Sequence, residues 1–173
     1  MAGILILEGA DGTGKTTLAR HLVERHGATY LHHGYFPGAD WGRRYLVSLR
    51  RAGELAHAGR LVVIDRCWLS ADAYGTCYRG RSDVARRGRG LHRLSLAYAA
   101  LTTLCVPPLG VAAVTHARLR GERSEMYTDV SAVERWFHEL AYTGRLTTRV
   151  CYGDLLAEHP RGPWLPYSAL YDW

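Results

Sequence analysis

The stretch Leu7-Glu8-Gly9-Ala10-Asp11-Gly12-Thr13-Gly14-Lys15-Thr16-Thr17 constrains this chain more than any other. Gly9, four residues, then Gly14-Lys15-Thr16 is the pattern of a phosphate-binding loop, which works only between a strand and a helix. Its glycines let the backbone curl until successive N–H groups face phosphate oxygens, and the helix that follows adds its positive end. Lys15 then bridges the terminal phosphates as a point charge, and Thr16 offers its hydroxyl to Mg²⁺. The flanks agree. Ile4-Leu5-Ile6-Leu7 is a continuous apolar run suited to a central parallel strand, and Leu18, Leu22 and Val23 recur at helical spacing after the loop. The expectation is an α/β chain that binds ATP through Gly9, Ala10, Asp11, Gly12, Thr13, Gly14, Lys15, Thr16 and Thr17.

A second buried-strand signal, Leu61-Val62-Val63-Ile64, delivers Asp65-Arg66 at its carboxyl end. Ligands of open α/β sheets sit at that end. A carboxylate there can orient a hydroxyl or a magnesium-bound water, and a guanidinium can hold phosphate, so Asp65 and Arg66 join Lys15 as candidate catalytic residues, with Thr16 and Asp65 as metal ligands. The alternative is a structural salt bridge at the strand end. Trp68 to Tyr78 reads as a helix that places Trp68, Tyr74 and Tyr78 near the site as flat surfaces for a base, although core packing is the commoner fate of such rings.

The elements between are plain. Gly27 is a helix C-cap, and Ala28 to His32 has strand composition. His32 and His33 are adjacent on a strand and face opposite ways, so they do not chelate one ion together. Tyr45, Leu49, Ala52, Leu55 and Ala56 share a helical face, with Arg43, Arg44, Arg50 and Arg51 around it. From Arg79 to Arg93 arginines alternate with Gly80, Gly88 and Gly90, which reads as a mobile basic loop: either a solvated charge run or a contact surface for phosphates. A helix closing over Ser95–Leu101, a strand over Thr102–Val106 and a helix over Leu109–Leu119 follow. Arg118, Arg120 and Arg123 then surround Gly121 as a closing lid, or else as ordinary helix-end charge. Ser131-Ala132-Val133-Glu134 resembles a capping box, with Val130, Val133, Phe137, Leu140 and Ala141 as the apolar face behind it. Arg149 to Tyr152 reads as a fifth strand, and the Pro- and aromatic-rich tail after Asp154 as an irregular cover.

The 173 residues suit one domain, 1–173. A net charge of +6 and a pI near 9.4 favour anionic partners. Lys15 is the only lysine, however, so the arginine surplus has a second explanation in coding bias. Cys67, Cys77, Cys105 and Cys151 lack the short spacings of zinc or redox motifs, and no leader or membrane segment is read, so a soluble protein with reduced thiols in a cytoplasm (a host's, if viral) is expected.

With these motifs placed, the chain resembles the thymidylate kinase family. The resemblance rests on Glu8 through Thr17, similar to that family's Glu-Gly-x-Asp-Gly-x-Gly-Lys-Thr-Thr loop; on Asp65-Arg66 with Ser70 and Ala73-Tyr74; and on the Arg118 to Arg123 lid. Asp65-Arg66-Cys67-Trp68-Leu69-Ser70 followed by Tyr74-Gly75 looks most like small members encoded by bacteriophages. The resemblance implies a P-loop kinase fold: a five-stranded parallel sheet, helices on both faces and a short arginine lid. It implies that Lys15, Arg66 and the lid arginines hold the donor phosphates, that Asp11 faces the acceptor sugar with Trp68 and Tyr74 nearby, and that Arg43, Arg44 or Arg50 holds an acceptor phosphate. The expected acceptor is dTMP or a 5-substituted dUMP.

A branch of the same family phosphorylates 5-hydroxymethyluracil within DNA, and the basic 79–93 segment suits such a polymer. A nucleotide-driven switch or motor is the non-kinase alternative, which the Asp65-Arg66 pair and the basic lid argue against. Homodimerisation stays open.

Overall fold

The computed structural model describes residues 2–34, 40–82, 84, 86–120, 129–142 and 149–150. The apolar runs form a parallel sheet: β1 (Gly3–Glu8), β2 (Thr29–His32), β3 (Leu61–Asp65) and β4 (Leu101–Cys105) lie in the order β2-β3-β1-β4. β1 sits between β3 and β4, with β3 paired from Gly3↔Leu61 to Leu7↔Asp65. β2 lies outside β3, and His32 is level with Asp65. The carboxyl ends of β1, β2 and β3 therefore finish side by side, and the chain leaves β1 where the strand order reverses, the place where such sheets bind ligands. The expected fifth strand is present only as a stub: β5 is Arg149–Val150, paired parallel with Leu104 and Cys105 at the β4 edge, so the sheet has four full strands and a two-residue fifth in the order β2-β3-β1-β4-β5.

Strand period two sends alternate residues to two cores. Ile4, Ile6, Val62 and Ile64 face one, with α2 (Trp41–His57), α3 (Trp68–Arg79) and α6 (Ser131–Tyr142) supplying Tyr45, Leu49, Ala73, Val133 and Phe137. Leu5, Leu7, Leu61 and Val63 face the other, covered by Leu18, Ala19 and Leu22 of α1 (Lys15–His26). Helices thus lie on both faces of the sheet. On α1, Val23 is 36% exposed and Ala19 takes the core position expected of it. Gly27 caps α1 in the left-handed region, φ 62°.

Two expectations change more. The basic run from Arg79 to Arg93 is not one loop, because α4 (Gly88–Ala97) begins inside it. Leu91 and Ser95 bury one turn apart, and that narrow face docks the helix while Arg89 and Arg93 stay exposed. The capping box at Ser131 also differs. Asp129 Oδ1 accepts from Ser131 N (2.8 Å) and Ser131 Oγ (2.6 Å), while Glu134, buried, reaches across to α5 (Val111–Arg120). There Glu134 Oε1 accepts from Gly110 N and Ala112 N, both at 3.0 Å, and so caps the neighbouring helix.

The segment 121–128, which includes Arg123, and the tail after 150 lie outside the described residues, as does Cys151. Among the described residues no helix is long and apolar enough to cross a membrane.

Candidate active site

The loop after β1 is held in shape by contacts that only glycine permits. Gly9 has φ 151°, and a Cβ there would stand 2.5 Å from the Cys105 carbonyl oxygen of β4. Gly12 has φ 82°, and its Cβ would meet the Ala112 carbonyl oxygen of α5 at 2.4 Å. Both conditions exclude a side chain, one through backbone angle and one through space. Inside the curl the Thr13 hydroxyl donates to Ala10 O (3.0 Å), and the Lys15 ammonium donates to Ala10 O and to Thr13 Oγ1 (3.0 Å). Burial, then the Arg66 charge, lowers the Lys15 pKa to about 8, with Asp11 and Asp65 working against them. Thr17 is exposed at the start of α1.

At the end of β3, Asp65 is fully buried and its two oxygens differ sharply. Oδ2 accepts from Thr16 Oγ1 (2.7 Å) and Tyr30 OH (2.8 Å), with His32 Nδ1 at 3.4 Å. Oδ1 is buried with no hydrogen-bond partner. Burial pushes the Asp65 carboxyl upward, but His32, the Lys15 charge, Thr16 and Arg66 outweigh it and hold Asp65 ionised, well below the ordinary carboxylate range. An unpaired buried carboxylate oxygen next to a hydroxyl oxygen is a donor set suited to a hard cation. Among the described residues no group of three or more His, Cys, Asp or Glu forms a protein-only metal cage. Mg²⁺ needs none where substrate phosphates complete its shell, so the residues fit it.

Arg66 follows with φ 74°, a left-handed conformation that a non-glycine residue adopts at a cost of about 1–3 kcal/mol and that clusters at functional sites. Its amide donates to Leu7 O (2.9 Å), and its guanidinium pairs with Asp11 and lies 5.2 Å over the Tyr74 ring. Tyr74 closes the set, donating its hydroxyl to Asp11 Oδ2 (2.6 Å) and accepting from Asp11 N (2.9 Å). Burial raises the Asp11 pKa, yet Arg66, Lys15 and Tyr74 together leave it lowered. Asp11, Arg66 and Tyr74 are thus one unit.

Glu8, the last residue of β1, supports this unit from beneath. Its carboxylate is fully buried and accepts from Cys67 N, Leu69 N and Ser70 N, each at 3.0 Å, and from Ser70 Oγ. It caps the N-terminus of α3 and so fixes where the Arg66 turn ends. Desolvation raises its pKa, although these donors pull the other way.

The remaining predicted residues spread out. Trp68 is buried in the core, with its ring 6.0 Å from that of His92. Arg43, Arg44 and Arg50 lie exposed on α2, Arg44 over the Trp41 ring at 5.9 Å. Arg118 is exposed near the end of α5; the Arg120 side chain and all of Arg123 lie outside the described residues. In the basic segment Arg87 forms a two-pronged pair with Asp40 (2.7 and 2.8 Å). Residue reading missed Tyr30 and the placement of His32 on Asp65. The signal was present in the two-residue spacing that puts both on one strand face, but it needs the β2-β3 pairing to acquire meaning. It also missed His33, whose amide donates to Asp65 O (3.2 Å) and whose ring meets Tyr45 edge-on at 5.0 Å; burial pushes its pKa down to about 4.

No family model and no curated protein matches the chain. Solved structures do. YorR from Bacillus subtilis, in complex with phosphorylated GDP, is 20% identical with a TM-score of 0.61, over 86% of this chain and 85% of that one. Thymidylate kinase from Candida albicans gives 14%, 0.55, 87% and 83%. Deoxyadenosine kinase from M. mycoides with bound dATP gives 13%, 0.52, 96% and 94%. At these identities the likeness speaks for the fold: this chain shares the α/β fold, with its parallel sheet and flanking helices, of these structures.

Proposed function

We propose that the chain, as a single domain over 1–173, is an ATP-dependent nucleotide kinase of the thymidylate kinase type. Its acceptor is a deoxypyrimidine monophosphate, dTMP or a 5-substituted dUMP. The observation that carries this reading is the convergence of two units on one end of the sheet: Lys15 with Thr16 and Asp65, and Asp11 with Arg66 and Tyr74. The first suits a triphosphate and the second suits a reaction partner, which a simple hydrolytic switch does not require.

In the transfer, an oxygen of the acceptor's 5′-phosphate forms a bond to the terminal phosphorus of ATP as the bond to the ADP oxygen breaks. Lys15 and Arg66 face the charge that shifts to the leaving oxygens. Arg118, Arg120 and Arg123 add cations as a lid, and Arg43, Arg44 or Arg50 holds the acceptor phosphate. Asp11, with both oxygens engaged by Arg66 and Tyr74, is pre-oriented to accept from the sugar hydroxyl, and Trp68 shapes the wall behind. Thr16 and Asp65 would hold Mg²⁺, which supplies charge neutralisation between the phosphates. The fold and these solvent-side charges suit a cytoplasmic enzyme.

A second reading, transfer to 5-hydroxymethyluracil within DNA, is favoured by one observation. Arg43 and Arg50 on α2 and Arg86, Arg89 and Arg93 around α4 are all exposed, and α2 and α4 pack together. That is a broad cationic face for a phosphate backbone. The test is ATP labelled on its terminal phosphate, offered with dTMP, 5-hydroxymethyl-dUMP, plain duplex and duplex containing 5-hydroxymethyluracil. Label in the mononucleotides is the expected result. Label only in the modified duplex replaces the first reading with the second, and label in none removes both.

A further inference from the structure

Asp65 carries an asymmetry that the kinase reading does not by itself require. A carboxylate can turn about its terminal torsion and exchange its oxygens, because that torsion is broad and two-fold. Here Thr16, Tyr30 and His32 all address Oδ2, and Oδ1 has no partner although it is buried. Thr16 belongs to the phosphate loop and is expected at this place. Tyr30 and His32 come from β2, outside both motifs, and reach Asp65 because β2 runs parallel to β3 with His32 level with Asp65. Their rings stack at 6.0 Å with an interplanar angle of 24°, so each braces the other. The Tyr30 hydroxyl donates to Oδ2 at 2.8 Å.

We infer that Tyr30 and His32 are positioning residues for the divalent cation: they pin Oδ2 and so reserve Oδ1 for the ion, directly or through one of its waters. The inference rests on the donor-site reading of Lys15, Thr16 and Asp65 and adds β2 to it. A polar oxygen left unpaired in a buried place costs free energy, and pairing Oδ2 three times over does not relieve Oδ1. A cation there does. Holding a ligand from behind is how outer partners tune metal sites, and their loss typically weakens metal affinity by about 10–100-fold. His32 fills this role with its proton on Nδ1, the atom that faces Oδ2.

The experiment measures Mn²⁺ binding by electron paramagnetic resonance with ADP present, on the full chain and on Tyr30→Phe, His32→Ala and His32→Asn. Tyr30→Phe keeps the ring and removes only the hydroxyl. His32 is half exposed, so its variants fold even where Tyr30→Phe does not. Asn places an amide N–H near the position of Nδ1. The expected result is a Kd for Mn²⁺ raised about tenfold in Tyr30→Phe and in His32→Ala, with His32→Asn recovering most of the loss. The KM for ATP at saturating metal stays unchanged. Variants that melt earlier but bind Mn²⁺ within twofold of the wild type overturn the inference and leave Tyr30 and His32 as packing. Wild-type protein that binds ADP but takes up no Mn²⁺ with it overturns the donor-site reading instead, so the two failures are told apart.

Discussion

Glu8→Ala tests whether a buried carboxylate holds the site together. The side chain serves three backbone N–H groups at the start of α3, those of Cys67, Leu69 and Ser70, each at 3.0 Å. The Ser70 hydroxyl makes a fourth contact but can rotate to a backbone carbonyl, so it is left out of the sum. Leaving a buried donor unpaired costs about 1–3 kcal/mol; at the low end the three N–H groups give about 3 kcal/mol, before any contribution from the cavity. For a chain of this size each kcal/mol moves the melting point by about 2–4 °C, so Tm should fall by about 6–12 °C. The change should also lower kcat, because the same capped turn fixes Arg66 in its left-handed conformation. Glu8→Gln keeps one acceptor oxygen and should fall between. Burial raises the Glu8 pKa, so the folded state binds the proton more tightly than the unfolded one. That preference stabilises below the ordinary value near 4.5 and is lost as pH rises through the raised value, so wild type should lead Glu8→Gln by less at pH 8 than at pH 5. Scanning calorimetry at both pH values and steady-state kinetics read all of this. A Glu8→Ala protein melting within about 2 °C of the wild type would falsify the capping role.

Two further outcomes follow from the loop. Lys15→Ala should keep the fold and lose roughly a hundred- to thousandfold in turnover, the effect of removing about 2.7–4 kcal/mol of charge stabilisation from a dry site; a variant retaining a third of wild-type turnover would rule out the loop as the donor site. Gly12→Ala should lose both activity and stability, because its Cβ would stand 2.4 Å from a backbone oxygen of α5 at φ 82°. Gly90→Ala, which meets nothing within 4 Å on α4, is the control and should be neutral or stabilising by about 0.4–1 kcal/mol. Equal behaviour of the two in thermal melts would refute the steric reading of Gly12.

What could be read in advance was local. Ile4–Leu7, the glycine pattern and Leu18 with Leu22 announce strand, loop and helix, since each signal lies within a few residues of its partner. Leu61–Ile64 announces the strand that presents Asp65 and Arg66. What could not be read depends on neighbours distant in sequence. The run from Arg79 to Arg93 hides a helix because only Leu91 and Ser95 are buried on it, too few for a periodic signal, and the helix packs against α2 and α3. Glu134 has the spacing of a cap for its own helix, yet Gly110 and Ala112 of another segment are the nearer donors. Tyr30 and His32 look like any strand residues until β2 is placed beside β3.

Two buried glutamates, Glu8 and Glu134, stand behind the glycine loop. Glu8, at the loop's root, locks the first turn of α3 and through it the turn of Arg66, whose guanidinium holds Asp11 in the loop's middle. Glu134 locks the first turn of α5, whose Ala112, with His116 one turn further on, stands against Gly12. The loop is therefore braced from two sides, by the Arg66–Asp11 pair just before α3 and by the backbone of α5, each secured by a carboxylate at a helix's positive end. Removing either brace should loosen the same few residues, but by different routes: Glu8 acts on the Arg66 side, and Glu134 on the side of α5, which carries Arg118. Coupling between these two positions, measured as the double-variant loss compared with the sum of the singles, should therefore be appreciable although they share no partner, because both converge on Asp11 and Gly12.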